Sequence, residues 1–149
     1  MNISVACDHG GFALKERILE YLGSLDCQIT DFGCYNTDSV DYPDFAFPAA
    51  EAVSQGKADF GILICTTGIG VSICANKVRG IRCALCTSVF QAEMTRRHNN
   101  ANILALGAKT ISAEEAEQIV SAFLHTEFEG GRHGRRVDKI TRYEELENH

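Results

Sequence analysis

The sequence predicts an α/β fold with five parallel strands and helices on both faces of the sheet. Two observations support this prediction. Short apolar runs alternate with amphipathic segments along the chain, and most of these runs are continuous rather than interrupted by polar residues. Continuous runs are typical of strands buried on both faces, and repeated strand-helix order is typical of parallel sheets.

Five strands and five helices are predicted in strict alternation. The strands cover residues 3–7, 27–32, 60–65, 83–86 and 103–106, and the helices cover residues 11–22, 46–54, 70–77, 89–98 and 113–124. A last segment, residues 134–146, is highly charged and lies beyond the last strand. We expect it to pack on the outside of the domain or to reach a neighbouring subunit.

Length and composition favour one globular domain over residues 1–149. The chain has 45% hydrophobic residues and two prolines, which suffices for one core and is unlike a disordered or fibrous protein. Its net charge of −6 argues against a general nucleic-acid surface. The N-terminus does not resemble a signal peptide, and no apolar stretch approaches membrane-spanning length. We therefore expect a cytoplasmic protein whose partners include neither nucleic acid nor a membrane.

The seven cysteines do not indicate a disulfide framework. Their odd number, without secretory context, indicates that most are reduced and buried as small hydrophobic residues. Cys83 and Cys86 have the spacing of a redox or zinc motif, but they lie in a strand-like run and no second ligand pair accompanies them. We therefore assign no metal.

Residues 62–72 are the most informative segment, because an apolar run ends in Cys65 and opens into a loop of hydroxyl groups and glycines. A buried strand would bring Cys65 to the carboxyl edge of the sheet, where ligands bind in such folds. Gly68 and Gly70 lack β-carbons, so peptide N–H groups can converge there on an anion at the start of the next helix. Such amides also favour the thiolate form of a cysteine. We interpret the segment as an active-site loop.

Other polar groups lie at neighbouring turns. Asp8 and His9 follow the first strand, whereas His98 and Asn99 lie between the fourth helix and the fifth strand and are the group not at a carboxyl edge. Basic residues also gather late in this acidic chain and suggest a local anionic ligand. They are Arg132, His133, Arg135 and Arg136.

Each candidate also has a purely structural explanation. Asp8 could cap the following helix, and His9 could be a solvated turn residue. Cys65 alone would more often be an inert core thiol, and His98 could merely complement the dipole of its helix. The occurrence of all of them at neighbouring turns favours a functional site.

The residue types favour a sugar phosphate over a nucleotide. The glycine loop contains no Gly-Lys-Ser/Thr, and Ile73 stands where a dinucleotide fingerprint has its third glycine. Arginines can hold a phosphate, a histidine can move a hydroxyl proton, a thiolate can remove a proton from carbon, and amides can stabilise the resulting enediolate. This chemistry requires no cofactor. Acyl transfer by a cysteine nucleophile is the alternative that these residues leave open.

Six ordered motifs share their residues and spacing with a known family. They are Asp8-His9-Gly10-Gly11, Asp41-Tyr42-Pro43, the loop from Cys65 to Gly70, Ala75-Asn76-Lys77, His98-Asn99 and the segment from Gly130 to Arg136. In them the chain resembles the RpiB/LacAB sugar-phosphate isomerases, nearest the type B ribose-5-phosphate isomerases. The resemblance implies a Rossmann-like α/β/α sandwich with a C-terminal helical extension, and metal-free interconversion of ribose 5-phosphate and ribulose 5-phosphate. It also implies a homodimer or tetramer with sites at the subunit interface.

The resemblance further implies a role for each matching residue. Cys65 matches the base that moves a proton between C1 and C2, and His98, assisted by Asp8, matches the residue that opens the furanose ring. The remaining matches form the binding pocket. They are Thr67 and the amides of Thr66, Gly68, Ile69 and Gly70 for the enediolate oxygen, Tyr42 and Asn99 for the sugar, and His9, Arg132 and Arg136 for the phosphate, with Lys109 where relatives often carry arginine.

Three positions depart from the family pattern. Thr66 stands where many relatives have glycine, which narrows the backbone conformations available. Lys109 offers a point charge instead of a planar fork. Val71 stands where some members use a glutamate, which leaves Cys65 as the base.

Isomerisation of a six-carbon sugar phosphate, such as allose or galactose 6-phosphate, is one alternative activity. A non-catalytic sugar-phosphate sensor is the other.

Overall fold

The computed structural model describes residues 1–147, along which strands and helices alternate. The strands are β1 (Asn2–Cys7), β2 (Gln28–Asp31), β3 (Phe60–Cys65), β4 (Cys83–Leu85) and β5 (Ile103–Gly107). The helices are α1 (Phe12–Gly23), α2 (Pro43–Ser54), α3 (Ile69–Asn76), α4 (Val89–Asn99), α5 (Ala113–His125) and α6 (Arg132–Glu147), and a 3-10 turn (His9–Gly11) precedes α1.

All strand pairs are parallel, and the strand order is β2-β1-β3-β5-β4. One face of the sheet packs against α1, α4 and α5 through a core that includes Ile18 and Phe123. The other face packs against α2 and α3 through a core that includes Ala49 and Val71. The predicted α/β/α sandwich is therefore confirmed.

The edge strands differ from the prediction that the strands are buried on both faces. The three central strands β1, β3 and β5 are buried almost throughout, whereas β2 alternates between exposed and half-buried residues and β4 is half-buried. An edge strand has only one neighbouring strand, so its other edge is open to solvent. An apolar run in the sequence shows that a strand is hydrophobic, but it does not show whether the strand lies at the centre or at the edge of the sheet.

Two helices begin at least two residues before their predicted starts, and α3 begins one residue early, at Ile69. Helix α2 begins at Pro43 instead of residue 46, because a proline at the first helical position lacks only an N–H that would have no partner there. Helix α6 begins at Arg132 instead of residue 134, packs against α4 and forms the C-terminal extension. Within residues 1–147, none of the helices has both the length and the apolar character needed to cross a bilayer.

The strand order places a crevice between β1 and β3. Strand β1 has β2 on one side and β3 on the other, so the connection from β1 to β2 and the connection from β2 to β3 run in opposite directions across the sheet. In open α/β sheets, ligands bind at such a reversal, beyond the carboxyl ends of the strands. Cys7 pairs with Ile64, which puts Asp8 and Cys65 side by side at this edge.

Candidate active site

Cys65 ends β3 with its thiol directed at the following loop. Its side chain is nearly buried, at 5% exposure, and the Gly68 N–H donates a hydrogen bond of 3.1 Å to the Sγ atom. The N–H group of the loop therefore points directly at the sulfur atom. The thiol therefore lies at the carboxyl edge of the sheet, beside the loop that leads into α3.

Gly68 makes this approach possible. Its φ of +78° lies in the left-handed region, and a Cβ there would come within 2.5 Å of the Leu85 Cδ1 atom and 2.9 Å of the Leu106 carbonyl carbon. The loop thus requires glycine for both conformation and space. Beside it, the Ile69 N–H donates to the Thr67 hydroxyl oxygen at 3.3 Å, which leaves the hydroxyl hydrogen of Thr67 available as a donor.

Thr66, the departure from the family pattern, packs over the turn that follows β1. A Cβ on Gly10 would overlap the Thr66 Oγ1 atom, so Gly10 is what leaves room for a threonine at this position. Sequence analysis missed this pairing, because the two residues are far apart in the chain. The Lys109 N–H donates to the Thr66 carbonyl at 3.0 Å, which ties the end of β5 to the same loop.

Asp8 caps the turn His9–Gly11, as its structural explanation predicts. Its Oδ1 atom accepts hydrogen bonds from the Gly10 and Gly11 N–H groups at 2.9 and 3.1 Å. His9 is exposed, and its Nδ1 atom accepts from the Val40 N–H at 3.2 Å. Accepting at Nδ1 places the ring hydrogen on Nε2, so His9 can donate from Nε2 to an anion.

Tyr42 forms a wall beside the cysteine loop. A Cβ on Gly70 would lie 2.8 Å from the Tyr42 ring, so the ring rests directly on this glycine. An open groove of about 490 Å³ runs from Tyr42 past Val40 to Asp8 and His9. Together with Cys65 and Thr67 of the cysteine loop, three of these residues, Asp8, His9 and Tyr42, form what we call the carboxyl-edge group.

The segment that delivers Tyr42 and Val40 is anchored by Lys15, which sequence analysis did not single out. Lys15 is fully buried, and its Nζ atom donates to both Asp31 carboxylate oxygens at 2.8 Å and to the Cys34 carbonyl at 2.6 Å. A buried lysine requires such partners. Its only signal in the sequence is its place on the apolar face of α1.

A second group lies around the end of α4. His98 is half-buried in the last turn of this helix and Asn99 is exposed, while Arg132 and Arg136 are exposed on the first turns of α6. The His133 ring stacks on the His98 ring, with 4.1 Å between centroids and 10° between planes. We call His98, Asn99, Arg132, His133 and Arg136 the amino-edge group.

The two groups lie at opposite edges of the sheet. The Gly61 N–H, at the start of β3, donates to the Asn102 carbonyl, just after α4 ends, whereas Cys65 pairs with Gly107 at the far end of β5. Four residues of strand separate these points by roughly 13 Å. One chain therefore does not bring Cys65 and His98 together, although both are predicted site residues.

Several other cysteines lie in environments that keep their thiols protonated. Burial raises the pKa of Cys7, Cys74 and Cys83, and it raises the pKa of Cys86 to about 11. Within residues 1–147, none of these four thiols accepts a hydrogen bond from a loop N–H as the Cys65 Sγ atom does. The contact from the Gly68 N–H to the Sγ atom is what distinguishes Cys65 from these four thiols.

Residues 3–140 match the sequence model of the family described as Ribose/Galactose Isomerase (LacAB_rpiB). The chain belongs to this family. Family membership makes it a sugar-phosphate isomerase and disfavours the non-catalytic sensor.

Three relatives of this isomerase bear names that are more specific. Ribose-5-phosphate isomerase B of Escherichia coli is 43% identical, with 98% of each chain covered. The structure of Clostridium thermocellum ribose-5-phosphate isomerase B superposes with a TM-score of 0.96, at 49% identity over 98% of this chain and 99% of that one. The Mycoplasma genitalium enzyme of the same name, solved with bound ribulose-5-phosphate, has a TM-score of 0.93 at 46% identity, with 97% of this chain and 96% of that one covered.

Proposed function

We propose that this isomerase interconverts ribose 5-phosphate and ribulose 5-phosphate through an enediolate, with Cys65 as the base. The observation that carries the proposal is the Cys65 Sγ atom under the Gly68 amide, in the crevice between β1 and β3. The relative solved with ribulose-5-phosphate supports the five-carbon substrate.

Binding and ring opening come first. The guanidinium groups of Arg132 and Arg136 and the Nε2–H of His9 hold the phosphate, because charge-assisted hydrogen bonds suit its oxygens. His98 then moves the proton between the O1 hydroxyl and the ring oxygen, which converts the furanose into the open-chain aldehyde. Asn99 and Tyr42 orient the sugar.

Isomerisation then proceeds by proton transfer at carbon. The Cys65 thiolate removes the proton from C2, and the electron pair of that C–H bond forms the C1–C2 double bond of the enediolate. Thr67 and the loop amides stabilise the negative charge that develops on oxygen. The thiol returns the proton to C1 while a hydroxyl proton moves from O2 to O1, so the ketose forms without gain or loss of atoms.

This mechanism requires both groups at one substrate, and a second copy of the chain supplies the missing half. In a two-fold dimer, the carboxyl-edge group of one copy meets the amino-edge group of the other, and the arrangement occurs twice. An exposed apolar surface beside the cysteine loop fits such a contact. Ile69 and Ile73 on α3 are 52% and 56% exposed, and Tyr42 stands next to them at 40%.

Mixing two inactive variants tests the shared site. We expect Cys65→Ser and His98→Asn homodimers each to be impaired, and we expect their mixture, after subunit exchange, to recover about a quarter of wild-type turnover. Half of the mixed dimers are heterodimers, and each heterodimer holds one site with intact Cys65 and His98. If each site came from a single chain, every chain would carry a defect and mixing would restore nothing.

Comparison of substrates tests the length of the sugar. We expect kcat/KM for ribose 5-phosphate to exceed that for allose 6-phosphate, because the groove beside Tyr42 must otherwise accommodate one more hydroxymethylene unit. Steady-state assays on both sugars measure this ratio. A ratio in favour of allose 6-phosphate would assign the six-carbon activity instead.

A further inference from the structure

His133 lies beneath His98 and is not among the residues that bind or convert the sugar in the proposed mechanism. Its ring is parallel to the His98 ring within 10°, with centroids 4.1 Å apart, and only 9% of its side-chain surface is exposed. Two flat rings at this distance and angle are in stacking contact. His133 therefore forms a flat support for the imidazole that opens the sugar ring.

The surroundings of His133 favour its neutral form. Burial lowers its pKa, as do the neighbouring His98 on α4 and Arg132 and Arg136 on α6, and Glu129 alone opposes them. The Nε2 atom of His133 is buried without a hydrogen-bond partner among the described residues, and the nearest carboxylate oxygen, Glu129 Oε2, is 3.5 Å away. Because a neutral His133 ring carries no charge, it does not repel the His98 imidazole when His98 takes up a proton.

The same helix turn carries both the support and the phosphate anchors. Arg132 and Arg136 flank His133 on the first turns of α6, and His133 contacts His98 across the α4–α6 packing. Any displacement of this turn would move the two arginines together with the ring on which His98 stacks. The positions of phosphate and imidazole are thus set by one structural unit.

We propose that His133 is a positioning residue, whose stacked ring holds the His98 imidazole in the orientation that opens the furanose. This inference rests on the proposed function of His98. A displacement of about 1 Å in a group that acts on substrate can cost roughly 10²-fold in rate, so such support has a large effect.

The cluster has one competing use, as a metal site. One ligand atom from each of His98, Glu129 and His133 lies within 4.8 Å of the others. However, the two rings are parallel, so their in-plane lone pairs point side by side rather than toward one ion. The stacked geometry therefore favours positioning over metal binding.

The test separates ring opening from enolisation. Ribulose 5-phosphate cannot form a furanose, because its C5 oxygen carries the phosphate, so incorporation of deuterium at C1 in D2O reports enolisation alone. We expect His133→Gln, which removes the ring, to lower turnover of ribose 5-phosphate by about tenfold or more while C1 exchange stays within about twofold of wild type. His133→Phe retains a flat ring and should restore most of the lost turnover. His125→Gln replaces an exposed histidine of α5 and serves as the matched control.

Three results would overturn the proposal. They are equal losses of turnover and exchange in His133→Gln, failure of His133→Phe to restore turnover, and a zinc chloride titration that reveals a tight site abolished by Glu129→Gln. If His133→Gln does not fold by circular dichroism, His133→Leu provides the same ringless comparison in an apolar form. A wild-type protein without turnover of ribose 5-phosphate would instead contradict the proposed function, so the two failures are distinguishable.

Discussion

The carboxyl-edge and amino-edge groups are built in different ways. The carboxyl-edge group stands on the ends of two central strands, and its reactive atoms are held by backbone amides and by glycines that admit no side chain. The amino-edge group stands on helix ends, and it consists of long or exposed side chains around one stacked histidine pair. In the first group backbone contacts fix the reactive atoms, whereas in the second, exposed Arg132 and Arg136 side chains carry the charge.

This difference explains a division of tasks. A carbon proton is removed only when the base lies within a fraction of an ångström of the right place, so the base belongs on rigid backbone. In the proposed mechanism, the long side chains of Arg132 and Arg136 reach the highly charged phosphate from a second copy of the chain. Variants in each of the two groups test this contrast.

Cys65→Ser should lower turnover of ribose 5-phosphate roughly 10²–10⁴-fold, because a serine hydroxyl is a poor proton acceptor at neutral pH. C1 exchange in ribulose 5-phosphate should fall by a similar factor, since the same base acts on both carbons. Cys27→Ser, at a half-buried cysteine in the turn before β2, is the control and should leave both rates near wild type. Undiminished exchange in Cys65→Ser would remove the thiol from the mechanism.

His98→Asn should lower turnover of ribose 5-phosphate by about 10²-fold but leave C1 exchange much less affected. The amide of asparagine keeps polarity at this position but cannot accept and return the ring-opening proton. Parallel turnover and exchange assays on one preparation give the ratio. Equal losses in the two assays would place His98 in enolisation and erase the division between the two groups.

Gly68→Ala should destabilise the protein far more than Gly56→Ala, although both glycines have positive φ, +78° and +73°. The left-handed conformation alone costs about 1–2 kcal/mol for an alanine, which is the expected loss at Gly56, where a Cβ meets nothing within 4 Å. At Gly68 the added methyl group also meets Leu85 and the backbone of β5. Urea unfolding measures both changes, and equal losses would mean that the cysteine loop is not tightly packed.

The smallest expected effect is on the pH dependence of stability. Burial, His98 and the flanking arginines lower the pKa of His133 below its ordinary 6.5, so the unfolded chain binds a proton more readily than the folded one. The free energy of unfolding should therefore decline as pH falls through 6.5, until the pH is below the folded pKa. Comparison with His133→Phe isolates this contribution from that of the carboxylates, and identical pH profiles would contradict it.

Much of the carboxyl-edge group could be predicted because its signals are local. An apolar run followed by Cys65, hydroxyl groups and two glycines predicts both the strand and the loop after it, and the structure has β3 and α3 at these places. The pairing of Thr66 with Gly10 and the burial of Lys15 could not be predicted. Both depend on contacts between segments distant in sequence, which a periodic pattern does not report.

The sequence by itself determined the alternation of strands and helices and the residue types available for chemistry, since periodicity and loop composition are local properties of the chain. Only the tertiary structure decided the strand order, which sets Asp8 beside Cys65 and sends His98 to the opposite edge of the sheet. It also decided the stack of His133 on His98. The physical reason is that hydrophobic burial selects one packing of all elements at once, and the neighbours of each polar side chain follow from that packing.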